Sequence, residues 1–366
     1  MSTLSSKVMS FLEASKGFLR DPYEPNRLFA KGCKIEGVYL IVSKGIPLFR
    51  TEGVGDVTLL TVKETDQEYT VPAILPEKIQ AKIRRQMLEI LRGNVADDLK
   101  QVINKYRNLG FKKVGEDGSW NCYIAPPLSE GGTDIGMCGF CPSCTILGSM
   151  ITDVELEDAG TSYGLKSRVQ HDIAFAATVY ERAVSDLTHT KVGDGISYTG
   201  MALFEEPHIL PGVCFIGKIV LSDVTMREAK IVLSSLTSIA RMGAGETKYG
   251  SVQVILLGLK AGRHESISSY DIVRHVLSET KGAYVTPEEV LKHTIDYVGG
   301  RGFNLLFTSD INVSDIESNV DLSTEDVKAI WSEDNYSYAK QILEYVRKVH
   351  PARAKRAQTK GTREEG

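Results

Sequence analysis

The sequence predicts an α+β protein, and three observations predict it. Short β-branched or apolar runs of strand length recur along the chain, at residues 34–42, 211–225 and 251–259. Stripes of helical period at 76–91 and 226–242 separate those runs. Two stretches interrupt the rhythm, so the order reads strand, helix, strand, helix, strand around two insertions.

Residues 34–42, KIEGVYLIV, form an apolar run bounded by glycine-containing segments and read as a core strand. The stretch 45–70 alternates and is broken by Gly53 and Gly55, as further strands or a hairpin would be. In PEKIQAKIRRQMLEIL, residues 76–91, Ile79, Ile83, Met87 and Ile90 recur at helical spacing, with proline at the start. Lys78, Lys82, Arg84 and Arg85 give that helix a basic side. Residues 93–165 read as an irregular insertion, with Pro126-Pro127 and the glycine-rich EGGTDIG. RVQHDIAFAATVYERAV and ISYTGMALFEEPHI flank a polar tip, DLTHTKVGDG, as the arms of a long β-hairpin. A strand (211–225), a helix with Ala229, Leu233, Leu236 and Ala240 on one stripe, and a strand (251–259) follow. Beyond about residue 265 the pattern is helical. Thr286-Pro287-Glu288-Glu289 is a capping box, and Ser323 with Asp326 is a second cap. The tail from Arg347 is basic and poor in apolar residues, so it is expected to be disordered.

The 366 residues carry 42% apolar and 25% charged side chains, an ordinary globular composition. A net charge of -4 excludes a protein that coats nucleic acid by bulk charge, so any anion-binding surface must be local. No stretch is apolar enough to span a bilayer and the first residues show no long apolar run or small-residue cleavage site, so the chain is expected to be cytoplasmic. In that reducing compartment the six cysteines read as metal ligands or core residues, not disulfides.

MCGFCPSCTILGS, residues 137–149, packs Cys138, Cys141 and Cys144 into a C-x2-C-x2-C run. Tetrahedral zinc needs four ligands. Cys122 completes an all-thiolate set; His171 is the alternative, and a metal-free thiol cluster is the third possibility. A ferredoxin cluster is excluded because Gly148 stands where its next cysteine would be. A zinc deaminase is excluded because its H-x-E and P-C-x-x-C elements are missing. Cys33 and Cys214 lie in apolar surroundings and read as core. GAGETKYG, residues 243–250, joins a helix to a strand and is either a plain helix stop or a loop whose backbone could approach phosphates. It lacks the ending of a Walker A loop. No histidine pair or carboxylate pair spells an enzyme.

Taken in order, several segments resemble the backbone subunit of CRISPR effector complexes, the Cas-seven branch of the RAMP superfamily, and most closely its type I-D member. PEKIQAKIRR resembles the family's P-G-S-S-x-K-G-x-x-R helix, with Arg85 on its arginine, Arg84 beside it, and Ala81 and Lys82 replacing its Lys and Gly. CGFCPSCTILGS is similar to C-x-x-C-x-x-F-G-S, with Leu147 in the aromatic's place. GLKSRVQHDIAF resembles the S-R-V strand, ISYTGMALFEEPHILPGVCFIGKI the return of the thumb hairpin, and RMGAGETKYGSVQV the glycine-rich loop and last core strand.

The resemblance implies a ferredoxin-like core over 30–92 and 165–262, with a thumb at about 175–205. It also implies an inserted lid, a zinc-binding segment at 93–164, a helical region at 263–346 and a basic tail at 347–366. Copies would stack along single-stranded CRISPR RNA among other complex subunits, without catalysis. Lys44, Arg50, Arg84, Arg85, Lys166, Arg168, Arg241 and Lys248, with Gly243 and Gly245, are the expected RNA contacts. Cys122, Cys138, Cys141 and Cys144 are the expected zinc ligands. Type III relatives cut RNA with an aspartate after the first strand, and Asp56 lies in the comparable stretch, so a metal-dependent endoribonuclease is the rival reading; as a turn residue, Asp56 would need no such role.

Overall fold

The computed structural model describes residues 3–50, 57–64, 66–94, 97–111, 113–120, 122–123, 136–151, 163–189 and 204–349. Helix α1 (Leu4–Ala14) starts at Thr3, whose hydroxyl accepts the Ser6 N–H, and buries Leu4, Val8, Phe11 and Leu12. Sequence reading missed it. The central strand β1 (Lys34–Ser43) follows, buried along nearly its whole length as its β-branched composition requires. β2 (Leu59–Glu64) and β3 (Gln67–Ile74) make the hairpin expected in that region.

Helix α2 (Pro76–Gly93) has proline in its first turn and sinks Ile79, Ile83, Met87, Leu88 and Leu91. The insertion is more regular than expected. It holds α3 (Asp97–Leu109), which buries Leu99, Val102, Ile103 and Tyr106 at helical spacing. After α3 come α4 (Pro142–Leu147), β4 (Ser149–Ile151) and β5 (Tyr163–Leu165).

The first arm of the expected hairpin is also different. Residues 168–184 break into β6 (Val169–His171), β7 (Ala174–Ala176) and the short helix α5 (Tyr180–Ala183). β6 and β7 both pair with the strand Cys214–Ser222, which holds them in the main sheet. The hairpin proper is β8 (Val184–His189) with β9 (Phe204–Ile209), in register from Val184↔Ile209 to His189↔Phe204. Of the expected tip, 186–195, residues 186–189 extend β8, and the remainder lies outside the described residues.

β10 (Cys214–Ser222) leads into α6 (Met226–Thr237), which opens on a capping box of Thr225 and Glu228 and buries Ala229, Leu233 and Leu236. Ala240, expected on that stripe, is exposed beyond the helix end. β11 (Val252–Gly262) completes the central strands. α7 (Ser269–Thr280), α8 (Pro287–Gly299), β12 (Asn304–Leu305), α9 (Thr324–Ala329), a π-helical turn (Ile330–Asn335) and α10 (Tyr336–Val349) make up the mainly helical remainder. The capping boxes at Thr286 and Ser323 are both formed.

The main sheet runs β12-β11-β1-β10-β7-β3-β2, antiparallel at each pair. One of its faces carries a charge at its centre. Lys218 of β10, 2% exposed, lies 2.9 Å from Glu265 and 3.7 Å from both Glu36 and Asp172, and it donates to the Ile267 carbonyl at 2.7 Å. A buried ammonium is tolerated only with such compensation, so this cluster ties the loop before α7 onto the sheet. Among the described residues no helix is long and apolar enough to cross a membrane.

Candidate nucleic-acid interface and metal centre

The four cysteines of the predicted zinc set converge. Cys122, Cys138, Cys141 and Cys144 are all buried, and their sulfurs lie within 4.8 Å of one another. Three of the separations are 3.6 Å (Cys122–Cys144), 3.7 Å (Cys141–Cys122) and 3.9 Å (Cys138–Cys144). A tetrahedron of Zn–S bonds at ~2.3 Å has S···S edges of about 3.8 Å, whereas a disulfide brings sulfurs to ~2.05 Å. The spacing therefore fits one tetrahedral cation. His171 is not part of this group.

The surroundings suit thiolate ligands. The Cys141 N–H and the Trp120 indole N–H both point at the Cys138 sulfur, at 3.3 and 3.5 Å. Burial pushes the Cys138 and Cys141 thiols up, while hydrogen bonds from Cys122, Cys138 and Cys141 hold Cys144 well below its ordinary value. A cation would stabilise all four as thiolates. The centre is anchored through Asn335, whose amide donates to the Phe140 carbonyl at 2.7 Å and the Tyr106 hydroxyl at 2.9 Å and accepts from Thr145 at 2.5 Å.

The expected RNA-contacting residues divide into separate places. Arg50, Arg85 and Gly243 line a 480 Å³ cleft between the Leu48–Arg50 stretch, α2 and the glycine-rich loop. Arg85 is exposed there, and Arg50 pairs with Glu206 of the hairpin at 3.3 Å. α2 adds Lys78 and Lys82, so the cleft presents four cations against the carboxylates of Glu77 and Glu246. Lys82 and Glu246 form an ion pair at 2.5 Å. This carboxylate partner was not anticipated; the signal for it was only a glutamate inside the glycine-rich loop.

That loop is built by its own needs. Gly243 has φ +100°, and a Cβ there would meet the Leu48 carbonyl at 2.7 Å, where Leu48 and Ala244 form a β-bridge. Gly245 is left-handed at φ +61° with ordinary space around it. Arg241 is exposed and donates to the Glu246 and Thr247 carbonyls, so its guanidinium shapes the loop. Lys248 is exposed on the loop, and Lys44 is exposed beyond β1, its amide bonded to Ser251.

Arg84 and Arg168 do different work, and here the expectation is corrected. Arg84 is 8% exposed and spans the end of α4, donating to the carbonyls of Ser143, Leu147 and Gly148. It satisfies carbonyls that a helix end leaves orphaned. Arg168, also 8% exposed, grips Glu228 with both arms at 2.7 and 2.8 Å and lies 4.4 Å from the Tyr338 ring centre. Arg27 shares Glu228 at 2.9 Å. Burial alone would raise the Glu228 carboxyl, but the two guanidiniums and the Thr225 N–H outweigh it and bring it to about 2. Neither arginine is free to hold a phosphate. Lys166 is exposed but lines a second cavity with Arg168, not the cleft. Asp56 lies outside the described residues.

With this geometry in place, the family can be decided. The profile of the Csc2 CRISPR family matches residues 18–339. The chain belongs to the Csc2 CRISPR family. This is the type I-D branch of the Cas-seven superfamily that the motifs resemble. The crystal structure of Thermofilum pendens Csc2 is 33% identical and superposes with a TM-score of 0.70, covering 93% of this chain and 98% of that one. A chain of a CRISPR RNA-guided surveillance complex, captured before nicking, is 10% identical with a TM-score of 0.45, covering 81% of this chain and 99% of that one. That likeness carries no weight here. No curated protein matches the sequence.

Proposed function

We propose that this Csc2-family chain is a non-catalytic backbone subunit of a type I-D CRISPR interference complex that grips single-stranded guide RNA. The observation that carries the reading is the 480 Å³ cleft, in which Arg50, Lys78, Lys82 and Arg85 meet the backbone of the glycine-rich loop. Cations along a groove neutralise successive phosphates without reading bases, which suits a subunit that must accept any guide sequence. Lys44, Arg241 and Lys248 stand near the same loop and extend the surface; Gly243 and Gly245 let its backbone approach. Arg84 and Arg168 are left out because they are buried and bonded.

The central order β11-β1-β10-β7, with α2 and α6 as crossovers, supports a ferredoxin-like core. On this reading residues 93–164 are the zinc-bearing insertion and the β8–β9 hairpin is the base of a thumb that reaches the next copy on the RNA. Zinc is the proposed ion, because four thiolates on tetrahedral edges are its characteristic structural set. Elemental analysis should find about one zinc per chain, and protein prepared without chelators that carries none would remove the ion from the account.

The test of function is incubation of labelled single-stranded RNA with the protein and Mg²⁺. Binding without cleavage is the expected result. Cleavage would favour the endoribonuclease reading, and neither binding nor cleavage would leave a zinc-stapled interaction module.

A further inference from the structure

At the opposite end of β1 from the cleft lies a larger cavity of 750 Å³, which Lys34 at the start of that strand helps to line. Ser167 of its lining accepts from Gln80 of α2 at 3.1 Å, so the two spaces are linked through that helix. The cavity opens between the segment around Phe29, the stretch around Lys166 and one face of α10.

Two aromatic side chains stand at its mouth, unusually open for their size: Phe29 is 59% exposed and Tyr345 is 49% exposed. They meet edge to face, with ring centres 6.3 Å apart and planes at 83°, so each keeps a face turned to solvent. Tyr338 lies deeper, with the guanidiniums of Arg168 and Arg27 at 4.4 and 5.2 Å from its ring. Those two cations share the single carboxylate of Glu228, which leaves one positive charge uncompensated by it. Lys166 lines the same space, is exposed, and makes no ion pair among the described residues. The one acid in the lining, Asp223, is occupied by the amides of Lys31, Gly32 and Cys33 and by Arg20.

We propose that this cavity binds an unpaired nucleotide of a single-stranded nucleic acid, with its base on the Phe29 and Tyr345 rings and its phosphate toward Lys166. Open π-faces beside an excess of cations are what a base with its phosphate requires, and stacking accepts every base. The volume falls in the range of sites that enclose a small ligand. An apolar peptide would use the same rings but would gain nothing from the unpaired lysine. The inference rests on the RNA-binding reading above and adds a second anchor, so that one subunit would hold its strand at two places.

The experiment has two parts. Single-stranded RNA carrying 4-thiouridine is photo-cross-linked to the full-length protein and the modified peptides are mapped; affinity is then measured for wild type, Phe29→Ala/Tyr345→Ala, Tyr345→Phe and Arg85→Glu. The expected map includes the peptide bearing Phe29 or Tyr345. The double variant should lose about 5- to 100-fold in affinity, the effect of removing a base stack, with an unchanged melting temperature because both rings are solvent-exposed. Tyr345→Phe should behave as wild type. Parallel DNA oligonucleotides show whether the 2′-hydroxyl matters. Cross-links confined to residues 76–85 and 242–250, or a double variant within twofold of wild type, would overturn this proposal while leaving the cleft intact. Unchanged RNA affinity with weakened association to other complex subunits would overturn it in favour of protein docking. If wild type binds no single strand at all, the function reading falls together with it, and if only Arg85→Glu is silent, the cleft alone is misassigned.

Discussion

Replacing Glu246 by glutamine should tighten RNA binding. The Glu246 carboxylate sits 2.5 Å from the Lys82 ammonium, whose side chain is only 12% exposed, in a cleft proposed to hold phosphates. A carboxylate in that place does what a phosphate would do, so bound RNA must compete with it. Glutamine keeps the shape and removes the charge. An exposed or half-buried pair of this kind is worth up to about 1 kcal/mol, so releasing Lys82 should raise affinity about fivefold. One added phosphate contact should also steepen the salt dependence by ~0.7 in log–log slope. The loop should keep its shape, because Arg241 holds the backbone carbonyl of Glu246, not its carboxylate. Fluorescence anisotropy of labelled single-stranded RNA over a salt series reads both quantities. Unchanged or weaker binding with an unaltered slope would show that Lys82 faces no phosphate.

Adjacent arginines on α2 should separate stability from binding. Arg84→Ala should lower stability by about 1–3 kcal/mol, since the Gly148 carbonyl loses its side-chain donor while that of Leu147 keeps Gln80, whereas Arg85→Ala should leave the melting temperature unchanged and weaken RNA binding. His171 should make the fold acid-sensitive: its buried ring nitrogens lack partners among the described residues, and burial lowers it from 6.5 to about 3. A depressed imidazole binds fewer protons folded than unfolded, so stability present above the ordinary value is lost as pH falls below it, by about 2 kcal/mol between pH 7 and 5. Denaturant unfolding of His171→Leu should show that part of the slope removed. Chelation or Cys141→Ser should release the proposed zinc and speed amide exchange in the π-turn and α10, because Asn335 ties them to the cysteine knuckle. Unchanged exchange there would mean that the knuckle holds nothing beyond itself.

Periodicity alone made α2 readable, since Ile79, Ile83 and Met87 form a buried stripe whatever they pack against. α3 carries an equal signal in Leu99, Val102, Ile103 and Tyr106, masked by the proline and glycine residues after it, which read as irregular chain. The cysteine set was legible because tetrahedral coordination restricts the choice of ligand, and Cys122 was the cysteine in reach. The cations were not. Nothing local distinguishes Arg84 from Arg85; what separates them is the end of α4, some sixty positions away, which one faces and the other does not. Arg168 likewise owes its burial to Glu228 and Tyr338, partners that only the tertiary fold brings near. Charge patterns report where a cation is, while its availability depends on long-range contacts.

Hydrogen–deuterium exchange of the protein with and without saturating single-stranded RNA tests the central claim most directly. If phosphates lie in the cleft of α2 and the glycine-rich loop, exchange should slow at residues 44–50, 76–85 and 242–250. Slowing elsewhere with those three segments unaffected would contradict it.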